Sequence, residues 1–148
     1  DGLVGFEVGD RHTGLVLDRV VVEGDHMDAA QKYACPSHGI ALTRDEKELW
    51  LADGVQNRLH VFDATMYPPT PSTSIEVRTQ PRWIAFSIDG RYAYPSTGDV
   101  IDALHKNVVT TLEDDRGIPV QSEKLFEIDF VDRVSVDAGS SVGIGGVR

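Results

Sequence analysis

Pro36-Ser37-His38-Gly39-Ile40-Ala41-Leu42 and Pro81-Arg82-Trp83-Ile84-Ala85-Phe86 decide how this chain folds. At a spacing of 44 residues, Ile40-Ala41-Leu42 falls on Ile84-Ala85-Phe86 and Asp45 falls on Asp89. Each copy opens on a proline, runs through a short apolar strand and enters a charged turn, Arg44-Asp45-Glu46-Lys47 in one and Ile88-Asp89-Gly90-Arg91 in the other. A second, aromatic-bearing strand follows. Self-similarity at a period of ~20–50 residues is the signature of a repeat architecture.

Working outward in the first copy, Leu49-Trp50-Leu51 leads to a turn at Asp53-Gly54, and Arg58 to Asp63 alternates apolar with polar positions. Pro68-Pro69-Thr70-Pro71 is expected to break any regular element, with Ser74 to Arg78 resuming the alternation as a fourth strand. The second copy predicts strands over Trp83–Ser87, Arg91–Tyr94, Asp99–Ala103 and Asn107–Leu112. Four short antiparallel strands per unit, repeated every ~40–50 residues, predict the blade of an all-β β-propeller.

Before these units, Leu3–Val8 and Leu15–Glu23 predict a hairpin matching the outer two strands of a preceding blade. After them, Lys124–Phe130 and Arg133–Asp137 predict another hairpin, followed by a glycine- and serine-rich stretch that is expected to be mobile. The expected organisation is a partial propeller: an outer hairpin over 1–34, full blades over 35–79 and 80–113, a partial blade over 114–138 and a tail over 139–148. Propellers close with about 4–8 blades. This chain is therefore expected to form an incomplete arc, completed by further blades of a longer chain or by a partner.

The totals fit an ordinary globular chain: 148 residues, 41% hydrophobic and 26% charged. Asp and Glu outnumber Lys and Arg by 24 to 14, a net charge of −10 that repels phosphate backbones and argues against nucleic acid. No apolar run approaches the ~20 residues of a membrane-spanning helix. The single cysteine, Cys35, reads as a small buried residue.

The residues Pro36 to Leu42 and Asp45 to Asp53, together with Ser87 to Tyr94, Gly98 to Asp102 and Lys106 to Leu112, resemble the YVTN-type propeller repeat. The resemblance covers most of 36–112. It implies surface-layer-like, secreted or periplasmic binding proteins, and relatives of the fold include lactonases, haem d1-binding domains and amine dehydrogenase subunits. The motif residues in that family are mainly structural, so function must be argued from a site.

In a propeller, the loops entering the innermost strands line one mouth of the central channel. Here they carry Cys35, Ser37 and His38 in one unit and Gln80, Arg82 and Trp83 in the next. Ser37, His38, Arg82 and Trp83 are the candidate ligand residues, a set suited to a small anionic or aromatic ligand through charge-assisted hydrogen bonds and stacking. A channel-facing imidazole at His38 also suits a base, a haem ligand or a metal ligand, but no second histidine lies at metal spacing and there is no Cys-x-x-Cys-His. No cofactor is predicted.

Asp25, His26 and Asp28, and Asp114-Asp115 before Gly117, lack calcium-loop spacing. Ser37 and Ser96 lack a nucleophile elbow. Trp50, Phe62 and Tyr94 are expected to fill the space between units, and Asp63 and Asp102 to lock turns. The expected function is a non-enzymatic binding or interaction module, with a fragment of a propeller enzyme or redox subunit as the alternative.

Overall fold

The computed structural model describes residues 3–23, 36–122 and 125–139. Among them the fold is all-β, and no helix is long and apolar enough to cross a membrane. A hairpin of β1 (Gly5–Gly9) and β2 (Val16–Val21) precedes an antiparallel four-stranded sheet in the order β3 (Ile40–Leu42), β4 (Glu48–Asp53), β5 (Arg58–Asp63), β6 (Thr70–Glu76). A second sheet repeats that order with β7 (Ile84–Phe86), β8 (Tyr92–Pro95), β9 (Asp99–Asp102) and β10 (Asn107–Thr111). A last hairpin pairs β11 (Ile128–Val131) with β12 (Val134–Ala138).

The turns explain why the two sheets start alike. The Thr43 hydroxyl donates to Asp45 at 2.8 Å and accepts the Glu48 N–H at 3.0 Å, while Asp45 accepts the Lys47 N–H at 3.2 Å. In the second sheet, Ser87 donates to Asp89 at 2.6 Å and accepts the Tyr92 N–H at 2.9 Å, and Asp89 accepts the Arg91 N–H at 2.9 Å. Both turns place a left-handed residue at the same point, Glu46 at φ 58° and Gly90 at φ 73°. Short Asp and hydroxyl side chains thus bind the backbone that a tight turn leaves unpaired.

Asp63 and Asp102 lock the turns that follow β5 and β9. Asp63 accepts the Thr65 N–H at 2.8 Å, and Asp102 accepts those of Leu104 at 2.9 Å and His105 at 2.8 Å.

Alternation along β4 sends its two faces into two cores. Trp50 and Ala52, with Leu59, Val61 and Ile75, face the second sheet's Ile84, Phe86, Ala93 and Ile101. Trp50 meets Phe86 edge to face, with ring centroids 5.3 Å apart at 83°. On the opposite face Leu51 and Phe62 pack with Val4, Phe6 and Val22, and Phe6 meets Phe62 at 5.0 Å and 87°. Each such aromatic pair adds about 0.5–1.5 kcal/mol beyond its buried area. The first sheet is thereby sandwiched between the leading hairpin and the second sheet.

Two details differ from expectation. The proline stretch does not exclude strand: β6 begins at Thr70 and contains Pro71. As the outermost strand it tolerates a missing N–H, and the register with β5 shifts between Val61 and Phe62 at that point. Tyr94 is only half-buried, because its face of the second sheet is covered in part by the segment around Glu127, whose carboxylate accepts the Ile88 N–H at 2.7 Å. Burial pushes the Tyr94 phenol up, and the nearby Glu127, Asp89 and Tyr92 groups add to it.

Candidate functional site

Antiparallel pairing gives each four-stranded sheet two ends. At the proximal end lie the starts of β3, β5, β7 and β9 and the ends of β4, β6, β8 and β10; the Thr43–Lys47 and Ser87–Arg91 turns lie at the distal end. All of the described candidate ligand residues therefore belong to proximal loops.

Two of those loops touch. A Cβ built on Gly39 would lie 2.5 Å from the Arg82 carbonyl oxygen and 2.7 Å from the Trp83 Cα, so the chains pass closer than a side chain permits. This contact brings His38 to Trp83, with ring centroids 6.1 Å apart and tilted by 51°. His38 and Arg82 are exposed, and Trp83 is half-buried.

Ser37, half-buried, is also held to the leading hairpin. Its hydroxyl donates to the Leu3 carbonyl at 2.7 Å and accepts the Gly5 N–H at 3.0 Å, tying the leading hairpin to the first sheet. Cys35, Asp25, His26, Asp28 and the glycine-rich stretch from 140 onward lie outside the described residues.

Beside Arg82 is a pocket of about 350 Å³ lined by Thr79, Gln80, Arg82, Ser96, Gln121 and Ser122. Ser96 builds its floor: the buried hydroxyl oxygen accepts the Arg82 N–H at 2.8 Å and the Trp83 N–H at 3.3 Å. Gln80 takes a left-handed backbone, φ 60°, with its N–H donating to the Asn57 side chain at 2.8 Å. Gln121 donates to the Thr79 carbonyl at 3.4 Å across the rim, and the Ser122 N–H donates to the Ser96 carbonyl at 2.9 Å. His38 and Trp83 do not line this pocket.

Behind the pocket Arg78 binds Asp99 twice, through its backbone N–H at 2.9 Å and its Nε at 3.2 Å. The same guanidinium donates to the Thr97 and Val120 carbonyls, and the Thr97 hydroxyl donates to Asp99 at 2.7 Å. Sequence reading did not find this clamp, since its members lie up to 42 positions apart.

It also missed Asp53 and His60, a buried pair joined at 3.1 Å. Burial pushes the Asp53 carboxyl up, but the His60 ring and the N–H groups of Gln56 and Val55 outweigh it and hold the group below the ordinary aspartate range. The available signal was the alternation in Arg58–Asp63, which puts His60 on the same face as Phe62.

The other predicted acids are engaged locally. Asp114 accepts the Arg116 and Ile118 N–H groups, each at 2.9 Å. Among the described residues no group of three or more His, Cys, Asp or Glu is placed to hold a metal ion.

These features define an all-β protein of antiparallel sheets with a polar pocket at one end. No family profile matches the chain, and no curated protein matches it. Its fold is similar to that of hydrazine synthase from Kuenenia stuttgartiensis, with a TM-score of 0.62 and 21% identity over 84% of this chain and 32% of that one. The chain thus spans about a third of that neighbour's length. At this identity the likeness speaks for the fold.

Proposed function

We propose that the chain is an arc of a YVTN-type β-propeller, with the two four-stranded sheets as consecutive blades, and that it serves as a binding module at the proximal end. The blade reading is supported by the identical strand order of the two sheets, their face-to-face packing through Trp50 and Phe86, and a distal turn that recurs 44 positions on with the same hydrogen bonds. In this reading β3 and β7 are the innermost strands, and their leading loops face the channel. Further blades would complete the ring, and the extracytoplasmic setting implied by the YVTN resemblance belongs to the same proposal.

The observation that carries the binding role is the meeting of the His38 and Trp83 rings at 6.1 Å beside Arg82 and its polar pocket. An aromatic pair, a guanidinium and a set of amides and hydroxyls recognise ligands without needing a nucleophile or a metal. The test is the double variant His38→Ala/Arg82→Ala in the complete protein. Loss of ligand or partner binding is expected; binding at the parent level would overturn the assignment.

A second reading, a wall of an enzyme or redox subunit, draws on the likeness to hydrazine synthase. It predicts a haem band in the visible spectrum of the complete protein, or lactone hydrolysis with added divalent metal. A colourless, inactive protein that still binds a partner favours the first reading.

A further inference from the structure

We infer that a second pocket, between the end of the leading hairpin and strands β5 and β6 of the first sheet, takes a neutral, polyhydroxylated ligand of monosaccharide size, one of whose hydroxyls donates to the second ring nitrogen of His60. This goes beyond the site formed by the His38 and Arg82 loops, since the pocket shares no lining residue with the one beside Arg82.

His60 carries the argument. It is 8% exposed and lines a pocket of about 500 Å³. Its Nε2 lies 3.1 Å from Asp53 Oδ2, and an ionised carboxylate can only accept, so Nε2 carries the hydrogen and Nδ1 of the neutral ring keeps a lone pair. No described residue binds Nδ1. An acceptor left unused at such depth is costly, and a donor on whatever fills the pocket relieves that cost. The ring is also held in place, because the fully buried Asp53 is itself fixed by the Val55 and Gln56 N–H groups at 2.8 and 3.0 Å.

The neighbours of His60 select the ligand. Period-two alternation puts Arg58 and His60 on the face of β5 that carries Phe62 towards the leading hairpin, and Ser74 stands directly across from His60 in the β5–β6 pairing. Residues so paired have Cβ atoms about 4.5–5.5 Å apart. Ser74 and Arg58 both line the pocket. The exposed Ser74 hydroxyl has no hydrogen bond to a described residue, and Arg58 reaches Glu76 only at 3.9 Å. An acceptor thus sits beside two donors. A ligand hydroxyl, donor and acceptor at once, meets both, whereas a metal ion would face the Arg58 guanidinium and an anion the Glu23 carboxylate of the same lining. Gln56 and Ser72 add an amide and a hydroxyl for further ligand hydroxyls, and Pro71 adds an apolar surface for a sugar's C–H face. The volume falls within the ~300–1,000 Å³ usual for small-molecule sites.

The test uses the full chain with isotope-labelled histidine, read by imidazole and amide NMR. The probes are D-glucose, D-galactose and D-mannose, with D-glucosamine and D-glucuronate as charged counterparts and zinc as a metal. At least one neutral sugar is expected to shift His60 Nδ1 and the Ser74 amide, and to bind about tenfold or more tightly than either charged sugar. Ser74→Leu, at an exposed position that lines the pocket, should weaken that sugar about tenfold or more. Because His60→Phe also takes the ring partner from Asp53, Ser74→Leu is the primary variant.

An Nδ1 signal that none of the three sugars moves leaves water as the occupant and overturns the inference. A charged sugar binding as tightly as the neutral one overturns the neutral class, and zinc moving Nδ1 where the sugars do not overturns it in favour of a metal ligand. Sugar binding that survives Ser74→Leu but is lost in His38→Ala/Arg82→Ala moves the sugar to the proximal loops and overturns this site while that binding face stands. Sugar binding retained in the double variant and lost in Ser74→Leu supports it, whatever the double variant does to the other ligand.

Discussion

The His60 imidazole Nε2 lies 3.1 Å from the Asp53 Oδ2, and both side chains are buried. The other Asp53 oxygen accepts the Val55 and Gln56 N–H groups at 2.8 and 3.0 Å, so one carboxylate both shapes the turn between β4 and β5 and satisfies a buried ring. Asp53→Ala leaves three donors without their acceptor. It should destabilise the protein by roughly 2–4 kcal/mol, read from the urea midpoint, and His60→Ala by less, since the turn N–H groups keep their partner.

That pairing has a pH signature. Asp53 is held below its ordinary value, as are Asp45 and Asp89, chiefly by the Thr43 and Ser87 hydroxyls respectively. A depressed folded-state value means that the unfolded chain binds more protons within the window, so the stabilisation is complete above the unfolded aspartate value of about 3.9 and is lost as pH falls through the lower folded values. Urea midpoints measured from pH 7 down to pH 3 should hold with respect to these groups until about pH 5 and then fall. Asp53→Asn, though less stable at pH 7, should lose less on acidification; a parallel curve would remove Asp53 from this account.

Gly39→Ala tests the contact between the proximal loops. Gly39 has no left-handed backbone to protect, so the objection to a side chain is space alone, against backbone atoms of Arg82 and Trp83 that have no rotamer to yield. The variant should cost about 1–3 kcal/mol. It should also shift the emission of Trp83 while leaving that of the fully buried Trp50, which differential quenching would separate.

Ser37→Ala separates tethering from ligand binding. Its hydroxyl joins the first sheet to Leu3 and Gly5, so its loss should lower stability by about 1–2 kcal/mol. Amide exchange is expected to accelerate in β1 and β2 before it does in β4 or β5. Ligand affinity at the proximal end should change little compared with Arg82→Ala.

Much of the architecture is legible because its causes are local. Asp45 and Asp89 bind backbone within two residues, and the apolar alternation around Trp50 and Phe62 assigns faces over a few positions. Pro71 misled because a proline excludes a ladder donor only where a neighbour needs one, and whether β6 is outermost is a fact of sheet order. Tyr94 misled for a similar reason: its strand and face were predictable, whereas the incomplete cover from the Glu127 segment was not.

By itself, then, the sequence determined the strands, the turn locks and the doubling of one four-stranded unit, since hydrogen bonds over two to five residues and period-two alternation need no knowledge of distant chain. It also pointed to the loop residues His38, Arg82 and Trp83 by analogy between the two units. Only the tertiary structure decided that Gly39 lets His38 reach Trp83, that Ser37 fastens a hairpin 32 positions earlier, and that Ser96 turns its hydroxyl beneath Arg82. Those relations depend on how one sheet packs against the next, through contacts whose partners are set by the whole core and not by neighbours in the chain.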